Sequence, residues 1–191
     1  HMFFGSKQRL KSVAAAELAT RIAWQTLAAG DRVGGIVIDN EEQTLFRPFR
    51  SVKAVGRLLN KIAIANNALK LKASKKNQDS KFLGLEQLRR LTQHNYKIYI
   101  ISDFSGDIDR WSEQVKQLAR HNQIVLAQIE DPLDKSLPPA DNYVITDGTK
   151  RLQFYSGTQS IRAKYAEDFT ARVQLLKEMS RHPAIAHVNL S

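Results

Sequence analysis

Lys97-Ile98-Tyr99-Ile100-Ile101-Ser102-Asp103-Phe104 is the stretch on which the fold turns. Ile98 to Ile101 is an unbroken apolar run, so Lys97 to Ser102 predicts a strand buried on both faces, as in a parallel sheet covered by helices. The run stops at Asp103, and a polar turn follows through Gly106. Ile124 to Ile129 repeats the pattern and stops before Asp131, and Asp109 to Arg120 between the two runs predicts a helix. Strand, helix and strand at this spacing make the unit of a parallel α/β sheet.

Toward the N-terminus, Ser6 to Ala29 predicts a helix with a stripe of Val13, Ala16, Thr20, Ala23 and Leu27, ended by Gly30-Asp31. Val33 to Ile38 and Gln43 to Phe49 predict a hairpin turning at Asp39-Asn40-Glu41, with Pro48 marking an edge strand. Gly34-Gly35 lies inside the first of these strands and points to close backbone packing. Ser51 is placed to cap the next helix, on which Val52, Val55, Leu58, Leu59 and Ile62 recur at helical spacing. A polar loop from Lys70 to Asp79 and a helix from Phe82 to His94 lead back to the opening stretch. Toward the C-terminus, the proline-rich Asp131 to Ala140 predicts a loop. Tyr143–Thr146 and Leu152–Tyr155 then flank the turn signal Asp147-Gly148. A long helix follows from Ser160 to Arg181, and Ile185 to Leu190 predicts a last strand.

A chain of 191 residues suits one domain, and 42% hydrophobic with 25% charged residues predicts an ordinary packed core. The absence of cysteine excludes disulfides, thiol nucleophiles and Cys-ligated zinc, and fits a reducing, cytoplasmic setting. No apolar run approaches the ~20 residues that span a bilayer, and no signal peptide is expected. His1-Met2 reads as an expression scar. The formal charge of +10 permits contact with nucleic acid or an anionic surface. The densest basic run (Lys70, Lys72, Lys75, Lys76 and Lys81) meets no aromatic before Phe82, and reads first as a solvated loop.

Functional groups of open α/β sheets collect at the carboxyl ends of the strands, here at Asp103 and Asp131. Ser102, Ser105, Asp107 and Asp109 stand beside Asp103, and these oxygens suit a hard cation such as Mg²⁺. The plainer reading puts Asp107 and Asp109 at a helix N-terminus, where negative charge is favourable. Other chemistry leaves no trace: there is no Gly-x-Ser-x-Gly elbow, no Walker A sequence, no Gly-x-Gly-x-x-Gly and no His-Glu-x-x-His. His94 and His121 read as helix-closing cations, and Trp24 and Trp111 as core anchors.

Six segments come in an order that resembles the bacterial domain of unknown function 58 family. They are Phe3-Phe4-Gly5-Ser6, Lys11-Ser12-Val13-Ala14-Ala15-Ala16-Glu17, Gly30-Asp31-Arg32-Val33-Gly34, Ile101-Ser102-Asp103-Phe104, Asp131-Pro132-Leu133 with Leu137-Pro138-Pro139, and Tyr165-Ala166. They span nearly the whole chain, and that family is similar to the von Willebrand factor A superfamily. The resemblance implies one domain over residues 1–191, a three-layer α/β fold with a mainly parallel sheet and helices on both faces. It also implies a metal-ion-dependent adhesion site at the top of the sheet. Such a site uses an Asp-x-Ser-x-Ser loop after the first strand, a Thr on a later loop and an Asp after the fourth strand.

The Asp-x-Ser-x-Ser segment would come just before Phe3 and is not in the sequence; the first, central strand is missing with it. The Thr position falls around Asp79 to Gly84, where Ser80 offers a hydroxyl, and Asp103 alone stands in its expected place. The expectation is a degenerate metal site, Asp103 with Ser80, that holds Mg²⁺ or Mn²⁺ weakly or not at all. No cofactor is expected, and Mg²⁺ only where the N-terminal motif is restored. The missing strand leaves two neighbours with open edges, which predicts pairing across a subunit boundary, as in a homodimer, or a local rearrangement.

The function implied is non-enzymatic: a protein-binding module, an adaptor to a MoxR-type AAA+ ATPase in assembly or maturation of other proteins. Its contact residues would be Ser102, Asp103, Phe104, Ser105 and Asp107. Two alternatives are a nucleic-acid or anionic-surface binder, on the strength of the charge, and a metal-assisted hydrolase built on Asp103, for which no base or nucleophile is visible.

Overall fold

Alanine-rich sequence enters a helix at little entropic cost, and helix α1 runs over Lys11–Ala28. Gly30 takes the left-handed conformation, φ 85°, just beyond its end. The computed structural model describes residues 10–39, 42–68, 80–131, 134, 142–146, 151–155 and 159–190. Strands β1 (Val33–Ile38) and β2 (Gln43–Phe49) form the expected antiparallel hairpin. Its register slips between Val33 and Gly35, so that Gly34 opposes both Arg47 and Pro48. A Cβ on Gly34 would lie 2.7 Å from the Phe46 carbonyl oxygen and 2.8 Å from the Pro48 nitrogen, so only glycine fits there. A bulge is also where a strand tolerates proline. Helix α2 (Val52–Ala68) covers the hairpin, with Val55 and Leu58 buried and the Leu58 methyls against Gly35. The Ser51 hydroxyl accepts from the Ala54 N–H at a long 3.4 Å.

Helix α3 (Ser80–Leu91), strand β3 (Lys97–Ser102), helix α4 (Ile108–Ala119) and strand β4 (Gln123–Ile129) follow in the order the apolar runs predict. Strands β5 (Asn142–Thr146) and β6 (Arg151–Tyr155) pair antiparallel; the turn expected at Asp147-Gly148 lies outside the described residues. Helix α5 (Gln159–Met179) and strand β7 (Ile185–Leu190) complete the chain. Strands β3, β4 and β7 form a parallel sheet in that order, with Ile98, Ile124 and Ile185 in one register row. The core lies between this sheet and the helices. Ile98, Ile100 and Leu126 come from the sheet, and Trp111, Val115 and Leu118 from α4. Phe82 and Leu85 of α3 join the same cluster, as do Leu176 and Met179 of α5. Each such fully buried side chain contributes about 1.5–3 kcal/mol relative to exposure.

Two expectations need correcting. The mainly parallel sheet is not one sheet: β1–β2, β3–β4–β7 and β5–β6 are separate, and no described strand lies between β1 and β3. The β1–β2 hairpin instead takes its cover from α2. Trp24 is no core anchor, being 40% exposed on α1, whereas Trp111 is buried as expected. The expected loop from Lys70 to Asp79 and nearly all of that from Asp131 to Ala140 lie outside the described residues, as does the start of the first helix before Leu10. Among the described residues no helix is long and apolar enough to cross a membrane.

Candidate functional site

The carboxyl ends of β3 and β4 meet the start of α1, and their side chains gather there. Asp103 follows β3 directly and is 5% exposed. Its Oδ1 accepts the Ser105 N–H at 3.1 Å, and the Ser102 hydroxyl accepts the Phe104 N–H at 3.0 Å. These two short-range bonds fold the chain back on itself and put Phe104 at φ 50°. That region is unusual for a bulky side chain and survives only where surroundings hold it. Phe104 is held: it is 2% exposed and meets Trp111 edge to face at a centroid distance of 5.0 Å. Trp111 in turn meets Phe82 at 5.4 Å.

The turn beyond Phe104 is fastened from outside as well. Lys81 Nζ donates to the Ser105 carbonyl, and Trp111 Nε1 donates to the same oxygen at 3.3 Å. Gly106, at φ 101°, lets Lys81 approach, since a Cβ there would lie 2.8 Å from Lys81 Nζ. Asp107 is the N-cap of α4, accepting the Arg110 N–H at 3.0 Å, and Asp109 stands in the first helical turn. Both acidic residues therefore sit where the helix dipole favours them. Arg172 of α5 reaches across and donates to the Asp103 carbonyl at 3.2 Å.

Lys11, the first residue of α1, is 4% exposed and inserts its ammonium between two carboxylates. Its Nζ lies 2.9 Å from Asp134 Oδ1, 3.2 Å from Asp134 Oδ2 and 3.7 Å from Asp103 Oδ2. Asp134 Oδ2 also accepts the Asp131 N–H at 2.8 Å, which draws the end of β4 into the same cluster. Asp103 is held well below the usual carboxylate range although burial works against its charge, and the Lys11 ammonium and the Ser105 N–H are among the groups that favour it. Tyr165 on α5 is close enough to feel these charges. Burial pushes its phenol up, as does Asp134; Arg172 pulls it down, and Asp131 and Asp103 add to the rise.

Of the residues singled out in the sequence, the structure brings Ser102, Asp103, Phe104, Ser105 and Asp107 into one rim. Asp103 and Phe104 are buried beneath it, Ser102 and Ser105 are half-buried, and Asp107 is exposed. Asp131 joins from β4, and Ser80 begins α3. Lys11, Asp134, Tyr165 and Arg172 were not singled out by chemistry; Lys11 and Tyr165 appeared only within quoted segments of the resemblance. None of the described histidines stands at the rim. His94 and His121 meet edge to face at 6.4 Å by the amino ends of β3 and β4, beyond the helix ends they were expected to close. His182 follows α5, and His187 lies within β7. A surface depression of about 330 Å³ lined by Gln43, Leu83, Glu86, Gln87 and Arg90 contains none of the singled-out residues.

Among the described residues no group of three His, Cys, Asp or Glu side chains is arranged to hold a metal ion, and the two nearest carboxylates are turned onto Lys11.

A family described as a protein of unknown function, DUF58, matches residues 1–174. The chain belongs to the DUF58 family. The match takes in the rim of this DUF58 protein, with Lys11, Asp103, Asp134 and Tyr165 all inside it. Among curated proteins none matches the chain. A similar solved structure is described as the conserved hypothetical protein BatB from Bacteroides thetaiotaomicron. It aligns at a TM-score of 0.50 and 13% identity, over 100% of the DUF58 chain and 85% of its own. At that identity the likeness speaks of fold alone: both are mixed α/β proteins.

Proposed function

We propose that this DUF58 protein is a von Willebrand factor A-like binding module, three-layered in plan, that docks a protein partner on the rim from Ser102 to Asp107. The observation that carries this reading is the way the rim is held. A loop kept in a costly backbone conformation, with Phe104 locked against Trp111 and Ser105 fastened by Lys81 and Trp111, is a preorganised surface. The chemistry of the rim favours recognition over catalysis, because its buried charges are engaged with one another and no described histidine stands beside its hydroxyls. The partner suggested by the family resemblance is a MoxR-type AAA+ ATPase, served in the assembly or maturation of other proteins.

The test is direct binding of the purified ATPase to this protein. Asp107→Ser retains a capping oxygen for α4 and removes the exposed charge, so it separates binding from folding. Combined with Ser105→Tyr it should weaken binding about tenfold or more, which is about 1.4 kcal/mol. No binding by the unaltered protein, or equal binding by the double variant, rejects the reading.

A further inference from the structure

We propose that the corner where β2 meets α2 is a docking surface for an anionic lipid bilayer, with Phe49 and Val52 entering the headgroup region and Arg32, Arg50, Lys53 and Arg57 on its phosphates. The inference is independent of the rim and of what the rim binds. It rests first on charge. Between Glu42 and Asp79 the sequence holds nine lysines and arginines and no aspartate or glutamate. That leaves 20 of the 29 lysines and arginines against 19 aspartates and glutamates elsewhere, so nearly all of the formal +10 comes from this one stretch. Within it, Lys61 is engaged with Asp39 and Glu42 at the turn of the β1–β2 hairpin. Arg50, Lys53 and Arg57 lie toward the other end, exposed, and the pairing of Val33 with Phe49 brings exposed Arg32 alongside them. Among the described residues none of these four forms an ion pair.

Stability gives no reason for these cations. Helix α2 has no acidic residue in its first turn; Lys53 stands there instead, where the helix dipole opposes a cation, and Arg57 one turn on adds like-charge repulsion. The fold makes as little use of the apolar side chains beside them. Val52, 66% exposed, and Phe49, 56% exposed, are the two most exposed large hydrophobic residues among those described. A bilayer surface suits this mixture, because apolar side chains sink to the acyl boundary while cations meet anionic headgroups. Nucleic acid would meet the cations and stack a base on Phe49, but it offers aliphatic Val52 nothing comparable. The corner also lies away from the rim. Lys11 opens α1 at the rim, and Arg32 follows the other end of that 18-residue helix, about 27 Å on. A protein attached by this corner keeps its rim clear of the lipid.

The experiment is co-sedimentation of the full chain with vesicles of phosphatidylcholine alone and of phosphatidylcholine with phosphatidylglycerol, at low and at physiological salt. The unaltered protein should partition onto the anionic vesicles, leave the neutral ones bare, and lose affinity as salt rises. Arg50→Gln with Lys53→Gln should weaken partition about tenfold or more. Lys116→Gln with Lys164→Gln removes the same charge from exposed positions on α4 and α5 and should weaken it far less. Phe49→Thr with Val52→Thr keeps every charge and should weaken it several-fold. If the melting temperature shows that Phe49→Thr impairs folding, Val52→Thr alone carries the same expectation. No partition at low salt, or equal losses from the two glutamine pairs, would overturn the proposal, as would full partition by the threonine variant. So would a single-stranded oligonucleotide that displaces the protein from the vesicles and no longer binds the threonine variant, which would assign the corner to nucleic acid.

Discussion

Phe104 is buried in the core and yet holds φ 50°, so two residue-scale effects oppose one another at this position. Truncating a buried phenylalanine costs about 3–5 kcal/mol, whereas relieving a left-handed backbone returns about 1–2 kcal/mol and only glycine collects it in full. Phe104→Ala should therefore destabilise strongly in urea unfolding, and Phe104→Gly should be no less stable than Phe104→Ala, the reverse of the usual order. A second effect is set by His187, whose Nε2 lies 2.9 Å from Gln128 Oε1. Burial holds its imidazole below the ordinary value of 6.5, with the Glu130 charge opposing and Lys177 adding to the fall. The unfolded chain then takes up this proton first, so stability is full above pH 6.5 and declines as pH drops through it. Stability measured by urea titration between neutral and mildly acid pH should decline less in His187→Gln. At this scale Asp103 was legible, since a carboxylate that ends an apolar run falls at a strand's carboxyl end. Lys11 was not: it opens an alanine-rich helix and looks like a surface charge, and its partner Asp134 lies 123 positions away.

Gly34 decides the hairpin as an element. An alanine there would press its Cβ onto main-chain atoms of Phe46 and Pro48, which cannot swing aside as a side chain would. The bulge must open or the strands must part, and overpacking of this kind costs roughly 1–3 kcal/mol. Gly34→Ala should lower the melting temperature, while Gly56→Ala, with open space around its Cβ in the middle of α2, should hold or raise it. The double glycine was legible as a site of close packing because a strand interior otherwise has no use for it. The strands were legible for a related reason: β-branched runs bounded by turn residues have few other homes. Helix α1 shows the limit. Its stripe of Val13, Ala16, Thr20, Ala23 and Leu27 does lie buried or half-buried, but Trp24, beside Ala23 and off that stripe, stands 40% exposed instead of anchoring the core.

At the scale of the molecule the β3–β4–β7 sheet and the β1–β2 hairpin are separately paired. Central β4 is bonded on both sides and most of its side chains are buried, whereas those of β1 are mostly half-buried. Two-stranded pairs have little stability of their own and open locally more often than a three-stranded core. Hydrogen exchange should therefore be at least about tenfold slower at the β4 amides than at those of β1 and β2; equal rates would mean that one cooperative unit joins them. The gap between β1 and β3 was expected, because the resemblance places there a strand that the sequence lacks; what was not legible is how the strands on either side would then pair, since pairing depends on which edges meet in space. The Lys11–Asp134 contact has its own consequence in time. A contact that closes 123 positions of chain must wait until β3, α4 and β4 have brought its ends together. Interactions made after the folding barrier leave the rate of folding almost unchanged and slow the rate of unfolding. An ion pair made that late should work as a latch, so that Lys11→Met leaves the folding rate nearly unchanged and speeds unfolding.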